Sequence, residues 1–147
     1  MKGIAQILKS KPSKVVHAIT PNDTVYDAVR KMAEQNIGAL LVMEGDEIVG
    51  IVTERDYARK VVLAGRSSRE TPVSVIMTTQ VLCVGPLQTT EECMAIMTEK
   101  RFRHLPVVED DRVVGVLSIG DLVKWVISDQ AETIDQLQGY ISGKYPG

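Results

Sequence analysis

Sliding the sequence by 65 residues lays it on itself without a gap. Pro21 then falls on Pro86, Thr24 on Thr89, Met32 on Met97 and Glu34 on Glu99. Further on, Leu40 meets Leu105, Val42 meets Val107, Val49-Gly50 meets Val114-Gly115, and Asp56 meets Asp121. Such self-similarity constrains a fold more than any local propensity, because both copies must take the same layout. A solenoid needs three or more copies to bury its faces. Two copies in 147 residues instead predict two half-domains that share one core about an approximate two-fold axis.

Each copy opens with a short extended piece that ends at a proline, residues 15–19 before Pro21 and 81–84 before Pro86. A helix follows. Asp23 or Thr24 can cap the first, whose Val25, Ala28, Val29 and Met32 fall on one face; Cys93, Met94 and Met97 take that role in the second copy. Two apolar runs then flank an acidic turn, Glu44-Gly45-Asp46-Glu47 or Glu109-Asp110-Asp111-Arg112, which reads as a hairpin. A last helix starts at Thr53 or Ser118. The expected fold is α+β, β-α-β-β-α twice about a pseudo-two-fold axis, with helical extensions at both ends. The divisions are 1–13, an N-terminal helix and lead-in with Ile4, Ile7 and Leu8 at helical spacing; 14–64, the first repeat; 65–78, a linker carrying Gly65 and Pro72; 79–128, the second repeat; and 129–147, a C-terminal helix and tail with Ile134 and Leu137 on one face.

Bulk properties exclude several function classes. A net charge of -2 gives no general reason to bind nucleic acid or an anionic membrane. Aromatic residues are only 4% of the chain, too few for a base-stacking platform. The longest apolar run, Ile37 to Met43, is far shorter than the ~18 residues that span a bilayer, and the N-terminus lacks a signal-peptide pattern. Cys83 and Cys93 make no disulfide framework and read as two buried small residues in a reducing compartment. The expected location is the cytoplasm. No P-loop, GxGxxG, nucleophile elbow or metal-ligand cluster occurs, so no catalysis and no catalytic cofactor are expected.

The informative segments are Gly50-Ile-Val-Thr53-Glu-Arg-Asp56 and Gly115-Val-Leu-Ser118-Ile-Gly-Asp121. In each, a strand containing glycine meets a hydroxyl residue, and an aspartate follows three positions later as a helix begins. Two meanings are open. A hydroxyl at the N-cap with an acid three residues on is the pattern of a capping box, which needs no ligand. Aspartate, however, is shorter than the Glu or Gln such boxes prefer. A helix N-terminus with a hydroxyl suits a phosphate, and glycine lets a flat ligand approach the backbone. A carboxylate can accept hydrogen bonds from a ribose diol. Phosphate and carboxylate repel, so they must meet opposite ends of one ligand, a polarity that a nucleoside phosphate has. Arg103 and His104 open a hairpin strand of the second copy and would face the cleft edged by Thr53 and Asp56 if a two-fold relates the halves; arginine can grip phosphate with a fork of donors. His17 has no such company and reads as structural.

These segments, with Arg103-His104-Leu105-Pro106-Val107-Val108 and the lead-in Val75-Ile76-Met77-Thr78, resemble a CBS-domain pair, the tandem module named after cystathionine beta-synthase. The likeness covers roughly residues 12–128 and holds twice in register. It implies two clefts that take adenosine-containing ligands: AMP, ADP, ATP, NAD(H) or S-adenosylmethionine. It also implies ribose bonding at Asp56 and Asp121, a phosphate side at Thr53 and Ser118 with Arg55 in the same motif, phosphate contacts at Arg103 and His104 beside Pro106, and base contacts from the short strands around Ala18, Ile19 and Cys83. Modules of this kind pair into flat homodimers and regulate an enzyme, channel or transporter, here expected to be a separate chain of unknown identity. The first copy departs from the pattern: Ile37-Gly38-Ala39-Leu40-Leu41 stands where the second has Phe102-Arg103-His104-Leu105-Pro106. The clefts are therefore expected to differ, the one at Thr53 and Asp56 preferring a compact phosphate such as AMP, and the one at Ser118 and Asp121 a larger or less charged ligand such as NAD(H), or none; Gly38 and Ala39 remain candidate binding residues. The rival expectation is a docking or dimerisation scaffold whose Thr/Ser-x-x-Asp pairs are only helix caps.

Overall fold

The computed structural model describes residues 3–11 and 15–129. Helix α1 (Ile4–Ser10) comes first, then strand β1 (Ala18–Ile19), helix α2 (Val25–Gln35), the hairpin β2 (Ala39–Glu44) and β3 (Glu47–Thr53), and helix α3 (Glu54–Tyr57), which widens into one π turn over Ala58–Val62. The short helix α4 (Val73–Ile76) leads to the second repeat: α5 (Thr90–Lys100), β4 (His104–Glu109), β5 (Arg112–Ser118), and a helix α6 over residues 119–129. The helix expected around Ile134 and Leu137 lies outside the described residues.

Local chemistry repeats as faithfully as the sequence. The Thr24 hydroxyl accepts from Asp27 N and the Thr89 hydroxyl from Glu92 N, each at 3.1 Å, so the same threonine caps both long helices. Both helices end on a left-handed residue, Asn36 at φ 54° and Arg101 at φ 59°. The hairpins turn through two residues. Gly45 takes φ 60° in the first, while Asp110 and Asp111 take φ 52° and 62° in the second, a conformation aspartate tolerates better than most residues. Each hairpin carries a bulge at the same place, after Val42 and after Val107.

The first sheet has the order β1-β2-β3, with β1 parallel to β2. The second has only β4 and β5 in regular pairing. The extended piece expected over 81–84 reduces there to one parallel bridge, Val84 with Val107.

Instead of the single shared core expected from the repeat, two apolar clusters form, and each is completed by a helix from outside its own repeat. Ile4 and Ile7 of α1 are buried among Val84, Cys93, Met97, Leu105, Leu117 and Leu122 of the second repeat. Val73 and Ile76 of α4 are buried among Val25, Ala28, Leu40, Val42 and Val52 of the first. The anchoring bonds correspond position by position: Ile4 N donates to Gln88 O (3.1 Å) and Val73 N to Asp23 O (2.8 Å), and 23 and 88 are repeat partners. The segment expected as a plain linker, 65–78, thus contains an element of the first core. The exchange is reciprocal, as a two-fold relation requires.

That exchange explains the glycines of the motif. A Cβ on Gly50 would lie 2.8 Å from the Met77 sulfur and 3.0 Å from Thr78 O; one on Gly115 would lie 2.8 Å from Leu8 Cδ2. At both glycines the crossing chain makes a close approach that a side chain would block. The cysteines also differ from expectation, since Cys93 is buried and Cys83 exposed.

Candidate functional site

Both motif aspartates sit one turn into a helix whose start is held by the same three bonds. In the first repeat Thr53 N donates to Asp56 Oδ2 (3.0 Å), Asp56 N to Thr53 Oγ1 (3.1 Å), and Glu54 N to Gly38 O (3.1 Å). In the second, Ser118 N donates to Asp121 Oδ2 (2.9 Å), Asp121 N to Ser118 Oγ (3.1 Å), and Ile119 N to Arg103 O (2.8 Å). Aspartate therefore does close a capping box here, despite its length. Three backbone donors at each helix start are committed within the chain. This corrects the picture of a helix end offering those N–H groups to a phosphate.

The caps do not use up the carboxylates: Asp56 is buried with 11% of its side chain still exposed, and the Asp121 side chain is 21% exposed. An ionised carboxylate has about four acceptor positions. Each aspartate also borders a cleft and meets one ammonium. Asp56 Oδ1 is 3.2 Å from Lys60 Nζ, which also donates to Ile76 O (2.9 Å). Asp121 Oδ2 is 3.1 Å from Lys11 Nζ, which also donates to Val116 O (2.8 Å). Burial by itself would raise the Asp121 carboxyl, but bonds from the Ser118 backbone and from Lys11 outweigh it and hold the group below its ordinary value.

Cleft A, about 450 Å³, brings Thr53, Arg55 and Asp56 together with Arg103 and His104, and Gly38 lies at its edge. Lys100, Arg101 and Phe102 extend the same wall. Arg55, Lys100, Arg101 and Arg103 stand against Glu54 and Asp56, four cationic side chains to two acidic ones. Cleft B, about 550 Å³, brings Ser118 and Asp121 together with Gly38, Ala39 and His104. Its repeat-1 wall, Asn36-Ile37-Gly38-Ala39, is the counterpart of Arg101-Phe102-Arg103-His104 and carries no charge. Lys9 and Lys11 balance Glu109 and Asp121 there. Both volumes fall in the range of about 300–1,000 Å³ usual for small-molecule sites.

Four candidate residues border neither cleft. Ala18 and Ile19 form β1, with Ile19 in the first core; Pro106 is buried in β4 beside Val84; and Cys83 is exposed. Conversely His17, expected to be structural, borders cleft B. Lys11, Lys60, Lys100 and Arg101 were not legible as site residues. For Arg101 a signal existed in its repeat partner Asn36 and its position at the helix end; for Lys11 none did, since it meets Asp121 across 110 residues.

His104 borders both clefts. Burial lowers its pKa, with Lys11 and Arg103 adding to the shift and Asp121 opposing it.

The family described as CBS domain matches residues 4–63 and 73–128, which takes in both lead-in helices. The chain is 41% identical over 150 residues to the CBS domain-containing protein CBSX3, mitochondrial, of Arabidopsis thaliana, covering 97% of this chain and 73% of that one. It is 31% identical over 124 residues to the CBS domain-containing protein YhcV of Bacillus subtilis, covering 84% and 88%. A solved structure of a protein with CBS domains from Burkholderia ambifaria superposes with a TM-score of 0.85 at 60% identity, covering 88% of this chain and 96% of that one.

Proposed function

This chain belongs to the CBS-domain family, and from that premise we propose that it is a sensor of adenine nucleotides that signals to a separate protein. Proteins built on a pair of these domains are in general regulatory modules that bind adenine nucleotides or other ligands. The carrying observation is the polarity of cleft A, where the Asp56 carboxylate and the Arg101, Arg103 and His104 wall border one cavity of about 450 Å³. Asp56 accepts the ribose hydroxyls, and the guanidinium groups hold the phosphate with charge-assisted bonds. AMP is the ligand of this cleft. Cleft B, larger and with acids and bases in balance, suits a larger or less charged ligand such as NAD(H). The role is binding without catalysis.

A homodimer is supported by apolar positions exposed at equivalent places on the two last helices. Val62 is 58% exposed and its repeat partner Ile127 61%. No helix among the described residues is long and apolar enough to cross a membrane. The two unpaired cysteines favour a reducing compartment such as the cytoplasm.

The test is a thermal-shift series with AMP, ATP, NAD and adenosine, joined to native mass spectrometry of what co-purifies. A ligand at about 100 times its Kd stabilises by about 2.7 kcal/mol. AMP is expected to raise Tm, and adenosine to do so less. No shift with any of the four would favour the second reading, a docking scaffold, for which the reciprocal Thr53–Asp56 capping box speaks.

A further inference from the structure

Cleft B lacks a cation on the wall where cleft A has Arg101 and Arg103. Its ammonium comes from elsewhere. In the first repeat Asp56 meets Lys60 of its own helix, four residues on. The repeat partner of Lys60 is Trp125, so that source does not exist for Asp121. Lys11 reaches it instead, from the end of the helix that crosses into the second core.

We propose that Lys11 is the phosphate-selecting residue of cleft B: it rests on Asp121 in the empty site and transfers to the 5′-phosphate of an adenylate group, free or within a dinucleotide, when the ribose hydroxyls take Asp121. This rests on the nucleotide reading of cleft B given above.

Three observations carry it. Lys11 Nζ is held by two acceptors inside the cleft, Asp121 Oδ2 at 3.1 Å and Val116 O at 2.8 Å, so the ammonium stands beside the carboxylate that the diol would use. Its side chain is 30% exposed and that of Asp121 21%, so the pair is partly solvated and inexpensive to exchange. A phosphate offers a bond of higher charge density in return. Of the other charged groups lining the cleft, Lys9 is exposed and Glu109 repels phosphate. The exchange also has a consequence for signalling. Lys11 lies between α1, packed in the second core, and β1, in the first sheet. Its transfer changes what tethers that crossing.

The experiment measures AMP and adenosine affinities by calorimetry in an Asp56→Asn background, which weakens cleft A, and a two-site fit reads cleft B as the site that Lys11 variants change. AMP and adenosine differ only in the phosphate. Lys11→Met is expected to weaken AMP by about tenfold or more, while adenosine holds or tightens, and Lys11→Arg is expected to retain AMP. Equal weakening of both ligands would make Lys11 a structural prop and overturn the proposal. Equal tightening would make it a plug and overturn it as well. Should Lys11→Met fail to fold, the folded Lys11→Gln variant must show the same split, or the proposal falls. If the Asp56→Asn protein with Lys11 intact binds neither ligand, the nucleotide reading of cleft B falls first and takes this inference with it.

Discussion

Replacing Asp56 separates a helix cap from a ribose acceptor. Asp56→Ala removes the acceptor of Thr53 N and Oγ1, at 3.0 and 3.1 Å, and the Lys60 partner at 3.2 Å. Loss of a capping interaction costs about 1 kcal/mol, within about 0.5–2. The ion pair, with Lys60 42% exposed, adds about 0–1 kcal/mol after screening. The sum, about 0.5–3 kcal/mol, is smaller than the roughly 5–15 kcal/mol of an ordinary domain, so the fold survives. Binding should suffer more. Hydrogen bonds to a charged acceptor contribute about 1.5–3 kcal/mol, which converts to about 10- to 100-fold in Kd. Asp56→Asn sharpens the comparison, because its amide oxygen still accepts from Thr53 N while the charge is gone. Urea melts without ligand read the cap. Calorimetric titration with AMP, in an Asp121→Asn background so that cleft A alone is read, gives the affinity. The expected result is near-native stability and at least about tenfold weaker AMP binding for Asp56→Asn. An AMP affinity within about twofold of the Asp121→Asn parent would refute the reasoning and leave Asp56 as a cap only.

Three further outcomes are expected. Ile4 is fully buried in the second core, so Ile4→Ala should cost about 2–5 kcal/mol in urea melts and lower amide protection in β4 and β5; a loss under about 1 kcal/mol would contradict the exchange of lead-in helices. The folded pKa of His104 lies below its unfolded value of about 6.5, so the unfolded chain takes the proton first. Stability from neutral His104 is then complete above about pH 6.5 and is lost as pH falls through the folded pKa; His104→Gln should flatten this acid limb in Tm-against-pH curves, and an unchanged limb would refute the assignment. Finally, AMP titrated into the wild-type protein should show two unequal sites, because one wall carries Arg101 and Arg103 where the other carries Asn36 and Gly38; two identical sites would contradict that difference.

Much of the fold could be read locally. The caps at Thr24 and Thr89, the buried faces of α2 and α5, the hairpin turns and the helix starts at Thr53 and Ser118 all depend on residues within a few positions of each other. Periodicity, turn chemistry and the 65-residue repeat report such interactions directly. The repeat also placed Asp56 and Asp121 as partners and exposed the missing basic pair at Gly38-Ala39.

What only the tertiary structure decided are contacts between positions remote along the chain. Nothing near Ile4 says that it completes the core of the other repeat, and nothing near Gly50 or Gly115 says that Met77 and Leu8 press against them. Lys11 beside Asp121, and His104 between two clefts, follow from the crossing of α1 and α4 between the halves. The physical reason is that a cap or a turn is satisfied by its own neighbours, whereas a cleft is whatever space remains once distant apolar faces have found each other.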